Sequence, residues 1–161
     1  MSYEINPNVR IGHIHLTVSN LEKSLTFYRD LLGFNITAVF NDTAIFLSSS
    51  NYHHHIALNI WSGKNAPPPP KGTTGLYHFA ILYPNRRELA KIFKRIWEAN
   101  YPIQGASDHG VSESIYLLDP DGIGVELYAD KLPEYWPKDE NGNVLIYTKS
   151  LDINSLLSEL G

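Results

Sequence analysis

The chain has 161 residues, 43% hydrophobic and 19% charged, enough apolar sequence for the core of one ordinary domain. Its 13 Lys and Arg against 17 Asp and Glu give a formal charge of −4, which excludes the broad basic field that nucleic acid or an anionic membrane requires and points to a small-molecule partner. There is no Cys, so disulfides, thiolate metal sites and Cys nucleophiles are excluded, and any metal must rest on His, carboxylate or backbone oxygen. The 7 His are therefore the residues to follow. No run approaches the ~20 apolar residues of a membrane span, and the segment MSYEINPNVRIGH lacks the basic and apolar parts of a signal peptide, so a soluble cytoplasmic protein is expected.

In chain order, Ile11 to Val18 alternates as a strand does, Ser19 or Asn20 offers an N-cap, and Leu21 to Leu32 carries apolar residues at helical spacing before Gly33. Three β-rich runs follow, Phe34 to Phe40, Thr43 to Ser49 and His54 to Trp61, separated by the turn pairs Asn41-Asp42 and Ser50-Asn51. Four consecutive prolines, Pro67 to Pro70, lack N–H donors and make a stiff connector. The order then repeats: a strand at Gly75 to Leu82, a helix at Arg87 to Ala99, and strands at Pro102 to Ala106, Ser114 to Leu118 and Gly124 to Ala129. The last two strands are joined by the hairpin turn Asp119-Pro120-Asp121-Gly122. Beyond Asp130 a polar turn, a strand-like run Val144 to Thr148 and a short helix capped by Asp152 are expected to pack outside the sheet or on a second subunit.

The expected fold is α+β: two tandem βαβββ modules forming one curved, mixed eight-stranded sheet around a metal site, with helices outside. The first module spans about 9–62, the linker 63–74, the second module about 75–130 and a C-terminal extension 131–161. Laying one module on the other sets His13 opposite His78, each at the start of a first strand, and Ala57 opposite Glu126 in the fourth strands. Alternate strand residues share a face, so His13, His78 and Glu126 are placed to converge on one ion with adjacent positions open, as in non-haem Fe(II) oxygenases. Ala57 cannot coordinate, and its methyl leaves room for a substrate bound through two oxygens. His15 shares the His13 face and either lines the same cavity or sits as a core histidine. His55 either lines the substrate pocket or makes a structural hydrogen bond. The run His53-His54-His55 would alternate faces in a regular strand, so these three are not expected to hold one ion.

The segments HIHLTVSNLEKSLTFYRDLLGF, GLYHFAIL and LLDPDGIGVELYAD resemble the vicinal oxygen chelate superfamily of glyoxalase I, fosfomycin- and bleomycin-resistance proteins and extradiol dioxygenases. Within it, IGHIHL, YHHHIALNIW and DHGVSESIYLLDPDG most resemble the bacillus-type catechol 2,3-dioxygenases; many catechol dioxygenases carry four such modules where this chain has two. The resemblance implies His13, His78 and Glu126 as ligands of Fe(II), with Mn(II) or Zn(II) as alternatives. It implies His109 as a second-sphere acid/base and Tyr116, ten residues before Glu126, as the group that orients the substrate oxygen. It implies cleavage of a small aromatic diol by dioxygen in a homodimer. Two other functions remain open: a glyoxalase-I-like isomerase or transferase, against which Ala57 argues because a fourth ligand is then needed, and a non-catalytic small-molecule binding protein.

Overall fold

Alternation in the first strand decides which way the first module faces: in β1 (Ile14–Thr17) Leu16 is buried while His15 and Thr17 stay exposed, and His13 stands one residue before it. The structure, a computed structural model, describes residues 3–161 in two units, one ending at Pro68 and the other beginning at Pro69, inside the proline run.

In the first unit Asn20 caps α1 (Leu21–Leu25) by accepting from the Lys23 N–H at 3.1 Å. The single helix expected over Leu21 to Leu32 does not continue as such, because Thr26–Leu31 winds as a π-helix. The Thr26 hydroxyl bonds back to the Lys23 carbonyl at 2.7 Å, and the wider turn buries Phe27, Tyr28 and Leu31 together. Strands β2 (Asn35–Phe40), β3 (Ala44–Ser48) and β4 (Ile56–Asn59) complete a sheet of order β1-β4-β3-β2, with β1 parallel to β4 and the other pairs antiparallel. The expected strand His54 to Trp61 is thus shortened at both ends, and His53 to His55 precede it.

The second unit repeats this plan. Strand β5 (His78–Leu82) leads to α2 (Arg86–Glu98), whose Asn85 cap accepts from the Glu88 N–H at 3.0 Å and whose buried stripe is Leu89, Ala90, Ile92, Phe93 and Ile96. Strands β6 (Ile103–Asp108), β7 (Ser112–Leu118) and β8 (Gly124–Asp130) follow, and α2 packs on β8 as α1 packs on β4. The β7–β8 turn is closed by Asp119, whose carboxylate accepts from the N–H groups of Asp121 at 2.9 Å and Ile123 at 2.8 Å, with Gly122 at φ +83.

The α+β class and the two βαβββ modules are as expected, and the eight strands form two separate hydrogen-bonded ladders, one in each module, rather than one continuous ladder. The extension differs from expectation. Val144 to Thr148 is not a strand: only Val144 bridges Lys138, and the pairing segment is β9 (Lys149–Ser150), which joins the edge of β6. The helix α3 (Ile153–Ser158) is capped by Asp152 as the sequence indicates. Among the described residues, no helix is long and apolar enough to cross a membrane.

Candidate active site

Strand pairing places the chemistry of the second unit on one face. On β7 and β8, Ile115, Leu117, Val125, Leu127 and Ala129 are buried, while Tyr116 and Glu126 alternate with them onto the opposite, partly open face. The register sets Ala80, Glu126 and Tyr116 side by side across β5, β8 and β7, and sets His78 against Gly124. Gly124 is required there, since a Cβ would strike the Tyr77 carbonyl and lie 2.8 Å from the His78 Cβ. With that space left open, His78 Nε2 lies 2.9 Å from Glu126 Oε2.

A polar chain continues from Glu126. The Tyr116 hydroxyl lies 3.1 Å from Glu126 Oε1 and 2.6 Å from His109 Nε2, and His109 Nδ1 lies 2.8 Å from the backbone carbonyl of Tyr147. Burial, then the negative charge of Glu126 and the bond to it, push the Tyr116 phenol up to about 12, so it is a hydroxyl throughout the neutral range. Beside this chain Asp108 accepts from the Gly110 N–H at 2.8 Å and from Lys131 Nζ at 2.7 Å. Burial alone would raise the Asp108 carboxyl, but the Lys131 ammonium and the Gly110 N–H outweigh it and hold the group below the ordinary aspartate range.

In the first unit the equivalent row is His15, Ala57 and Phe46 across β1, β4 and β3. Ala57 is 0% exposed, and the His15 ring lies 5.1 Å from Trp61 and 6.3 Å from Phe46. His55 is engaged locally, its Nδ1 3.0 Å from the buried Ser48 hydroxyl. The alternation expected of His53 and His54 fails because neither is in a strand: their Nδ1 atoms meet at 2.7 Å, and the His54 ring lies 4.4 Å from that of His13. Burial, then the neighbouring His13, His53, His15 and His55, holds the His54 imidazole below its ordinary range.

Among the described residues, no group of three or more His, Cys, Asp or Glu side chains is assembled to hold a metal. The pair that is assembled fits a share of one. Two ligand atoms each about 2.1 Å from an ion and at right angles stand about 3.0 Å apart, close to the 2.9 Å between His78 Nε2 and Glu126 Oε2. An imidazole with a carboxylate also suits a first-row divalent ion such as Fe(II). Sequence reasoning missed Gly124, Gly110 and the Tyr147 carbonyl. The two glycines have a local signal, each sitting two residues or fewer from a residue already singled out, whereas a backbone carbonyl has none.

The family model described as the Glyoxalase/Bleomycin resistance protein/Dioxygenase superfamily matches residues 10–127. The chain is 39% identical over 158 residues to the catechol-2,3-dioxygenase of Bacillus subtilis (strain 168), covering 98% of this chain and 54% of that protein. It therefore spans about half the length of that relative. It is 30% identical over 126 residues to the glutathione transferase FosA of Serratia marcescens, covering 76% of this chain and 82% of that one. Among solved structures, a glyoxalase/dioxygenase from Nostoc punctiforme shares the fold with a TM-score of 0.65 at 20% identity, covering 82% of this chain and 99% of that one.

Proposed function

Because this chain belongs to the Glyoxalase/Bleomycin resistance protein/Dioxygenase superfamily, we propose that it is an Fe(II)-dependent extradiol dioxygenase that opens the ring of a catechol-type diol with dioxygen. The observation that carries the reading is the Tyr116 hydroxyl held between Glu126 at 3.1 Å and His109 at 2.6 Å, a proton donor and a proton carrier beside a ligand pair. The similarity to a catechol-2,3-dioxygenase supports it. In this reading His13, His78 and Glu126 would hold the ion, with Mn(II) or Zn(II) as alternatives to Fe(II). The support for His13 is its place in the repeat: it precedes β1 as His78 opens β5. The ferrous ion supplies the redox-active centre at which a singlet diol and triplet dioxygen can react.

The chain's own residues supply binding and proton transfer. Tyr116, protonated at neutral pH, donates to and orients a substrate oxygen. His109 takes a proton from the diol and returns it as the ring opens, which suits an imidazole because it accepts and gives protons near neutrality. The C–C bond beside the diol breaks, both atoms of dioxygen enter the product, and no external reductant is consumed. His15, His55 and Ala57 border the substrate in this reading, and the acting form is a cytoplasmic homodimer.

Anaerobic purification, Fe(II) reconstitution and an oxygen-electrode assay on catechol and substituted catechols test this. The expected result is one dioxygen consumed per diol with a yellow ring-opened product, both lost in Glu126→Ala. Tightly bound metal without oxygen uptake would overturn it and favour a metal-dependent thiol transferase, the second reading supported by the similarity to a glutathione transferase. Ligand binding with no metal would instead favour a binding protein.

A further inference from the structure

The residues beyond β8 take part in the arrangement of the polar chain. His109 Nδ1 faces two oxygens, the Tyr147 carbonyl at 2.8 Å and, more distantly, the Thr148 hydroxyl at 3.4 Å. A carbonyl has no hydrogen to give, so the close contact is a hydrogen bond only if Nδ1 carries the proton. We propose that the C-terminal extension, through the Tyr147 carbonyl, fixes His109 as the Nδ1–H tautomer and so presents a free Nε2 lone pair to Tyr116.

The alternative tautomer fails at Nδ1, the side that faces main chain. It would set the Nδ1 lone pair against the carbonyl lone pairs at 2.8 Å, whereas at Nε2 either tautomer can bond Tyr116, whose hydroxyl both donates and accepts. In the assigned tautomer Tyr116 turns its one hydrogen to Nε2 at 2.6 Å, the shorter contact, and away from Glu126 at 3.1 Å. When His109 gains a proton it does so at Nε2, which then donates to the Tyr116 oxygen and frees the Tyr116 hydrogen for Glu126, 3.1 Å away. Proton exchange is thus confined to the nitrogen that faces the candidate active site, while the other is held by main chain.

The extension is built to keep that carbonyl in place. Strand β9 pairs Ser150 with Ser107 and Lys149 with Asp108, and the next step inward brings the Tyr147 N–H to the His109 carbonyl at 3.3 Å. Gly110, at φ +83, has no room for a side chain: a Cβ would lie 2.7 Å from Tyr147 Cε1 and 2.8 Å from Pro137 Cγ. Lys131 ties the start of the extension to Asp108 at 2.7 Å. Farther on, Arg86 and Arg87 bond the carbonyls of Ser155 and Glu159 and so fasten α3.

This inference rests on the reading of His109 and Tyr116 as proton-handling groups, but its first measurement does not need turnover. The full chain, loaded with diamagnetic Zn(II) and labelled with 15N in histidine, is examined by long-range proton–nitrogen correlation at mildly alkaline pH, with His109 assigned from its loss in His109→Gln. A protonated Nδ1 and an unprotonated Nε2 are expected, and the reverse pattern overturns the proposal. In Gly110→Ala the pattern should shift toward the other tautomer, with kcat of the Fe(II) protein lowered about tenfold to a hundredfold and KM within about twofold. An altered tautomer with unchanged kcat would overturn the positioning role. Should Gly110→Ala not fold, Lys131→Met, which loosens the same segment, carries the same expectations at smaller amplitude. Failure of the dioxygenase reading is separately visible, as absent oxygen uptake by a wild-type protein whose His109 still shows the Nδ1–H pattern.

Discussion

The two modules place different side chains at the same positions of the same ladder. In the first, the row across β1, β4 and β3 reads His15, Ala57, Phe46; in the second, β5, β8 and β7 give Ala80, Glu126, Tyr116. Even the irregularities agree, since β2 shifts register between Ile36 and Ala38 and β6 between Ile103 and Gly105. Side-chain chemistry at matched positions is therefore free to diverge while backbone pairing and the apolar face are kept. The second row carries a carboxylate and a phenol joined by a hydrogen bond, whereas the first carries a methyl and a phenyl ring. The outer edges differ as well: the last two residues of β6, Ser107 and Asp108, pair with β9, while every residue of β2 is exposed.

Exchanging the aromatic residues of the two rows should give the largest effect. Under the proposed function, Tyr116→Phe is expected to lower kcat of the Fe(II)-reconstituted protein about a hundredfold, the scale of one lost proton-handling group, whereas Phe46→Tyr should change it by about twofold or less. Steady-state oxygen uptake decides this, and equal losses in the two variants would break the contrast. Next, Gly124→Ala crowds His78 directly and should weaken metal affinity about tenfold or more, measured by competition with a chelator. Retained affinity would remove His78 from the ligand set.

A smaller effect concerns the support beneath His109. The Asp108 carboxyl is held below its usual 3.8 in the fold, so its pairing adds stability above about that pH and loses it as acid protonates the folded group. Lys131→Met should cost about 1 kcal/mol of unfolding free energy near neutrality, with the difference shrinking toward acid, as followed by urea titration at several pH values. A deficit that grew in acid would contradict the assignment. Smallest of all, Ser48→Ala leaves His55 without its hydroxyl partner and should cost about 1 kcal/mol or less in thermal unfolding, without touching metal affinity.

Much of the fold was legible because it rests on local signals. Asn20 and Asp152 cap helices where the sequence puts them, and Asp119 to Gly122 closes its hairpin, because capping and turn chemistry act over two to four residues. The π-helical stretch at Thr26–Leu31 was not legible, since its apolar residues also satisfy an α-helical spacing. The start of β4 was misplaced for a related reason: His54 and His55 alternate plausibly, but pairing with β3 begins only at Ile56. In the candidate site, Tyr116 was named by the family resemblance, and the structure sets it directly opposite Glu126 across the hairpin.

By itself the sequence determined the duplicated βαβββ order, the absence of thiol chemistry and the positions of histidine and carboxylate in each repeat, because periodicity, composition and repeat phase are properties of the chain. Only tertiary structure decided that β9 rather than Val144 to Thr148 pairs with β6, that Gly110 and Gly124 are emptied by their neighbours, and that His109 meets the carbonyl of Tyr147. Those contacts join residues as far apart in the chain as Tyr77 and Gly124, and the last of them ends on a main-chain carbonyl. Every residue carries such a carbonyl, so nothing in the identity of Tyr147 marks its backbone as a partner until the chain has folded.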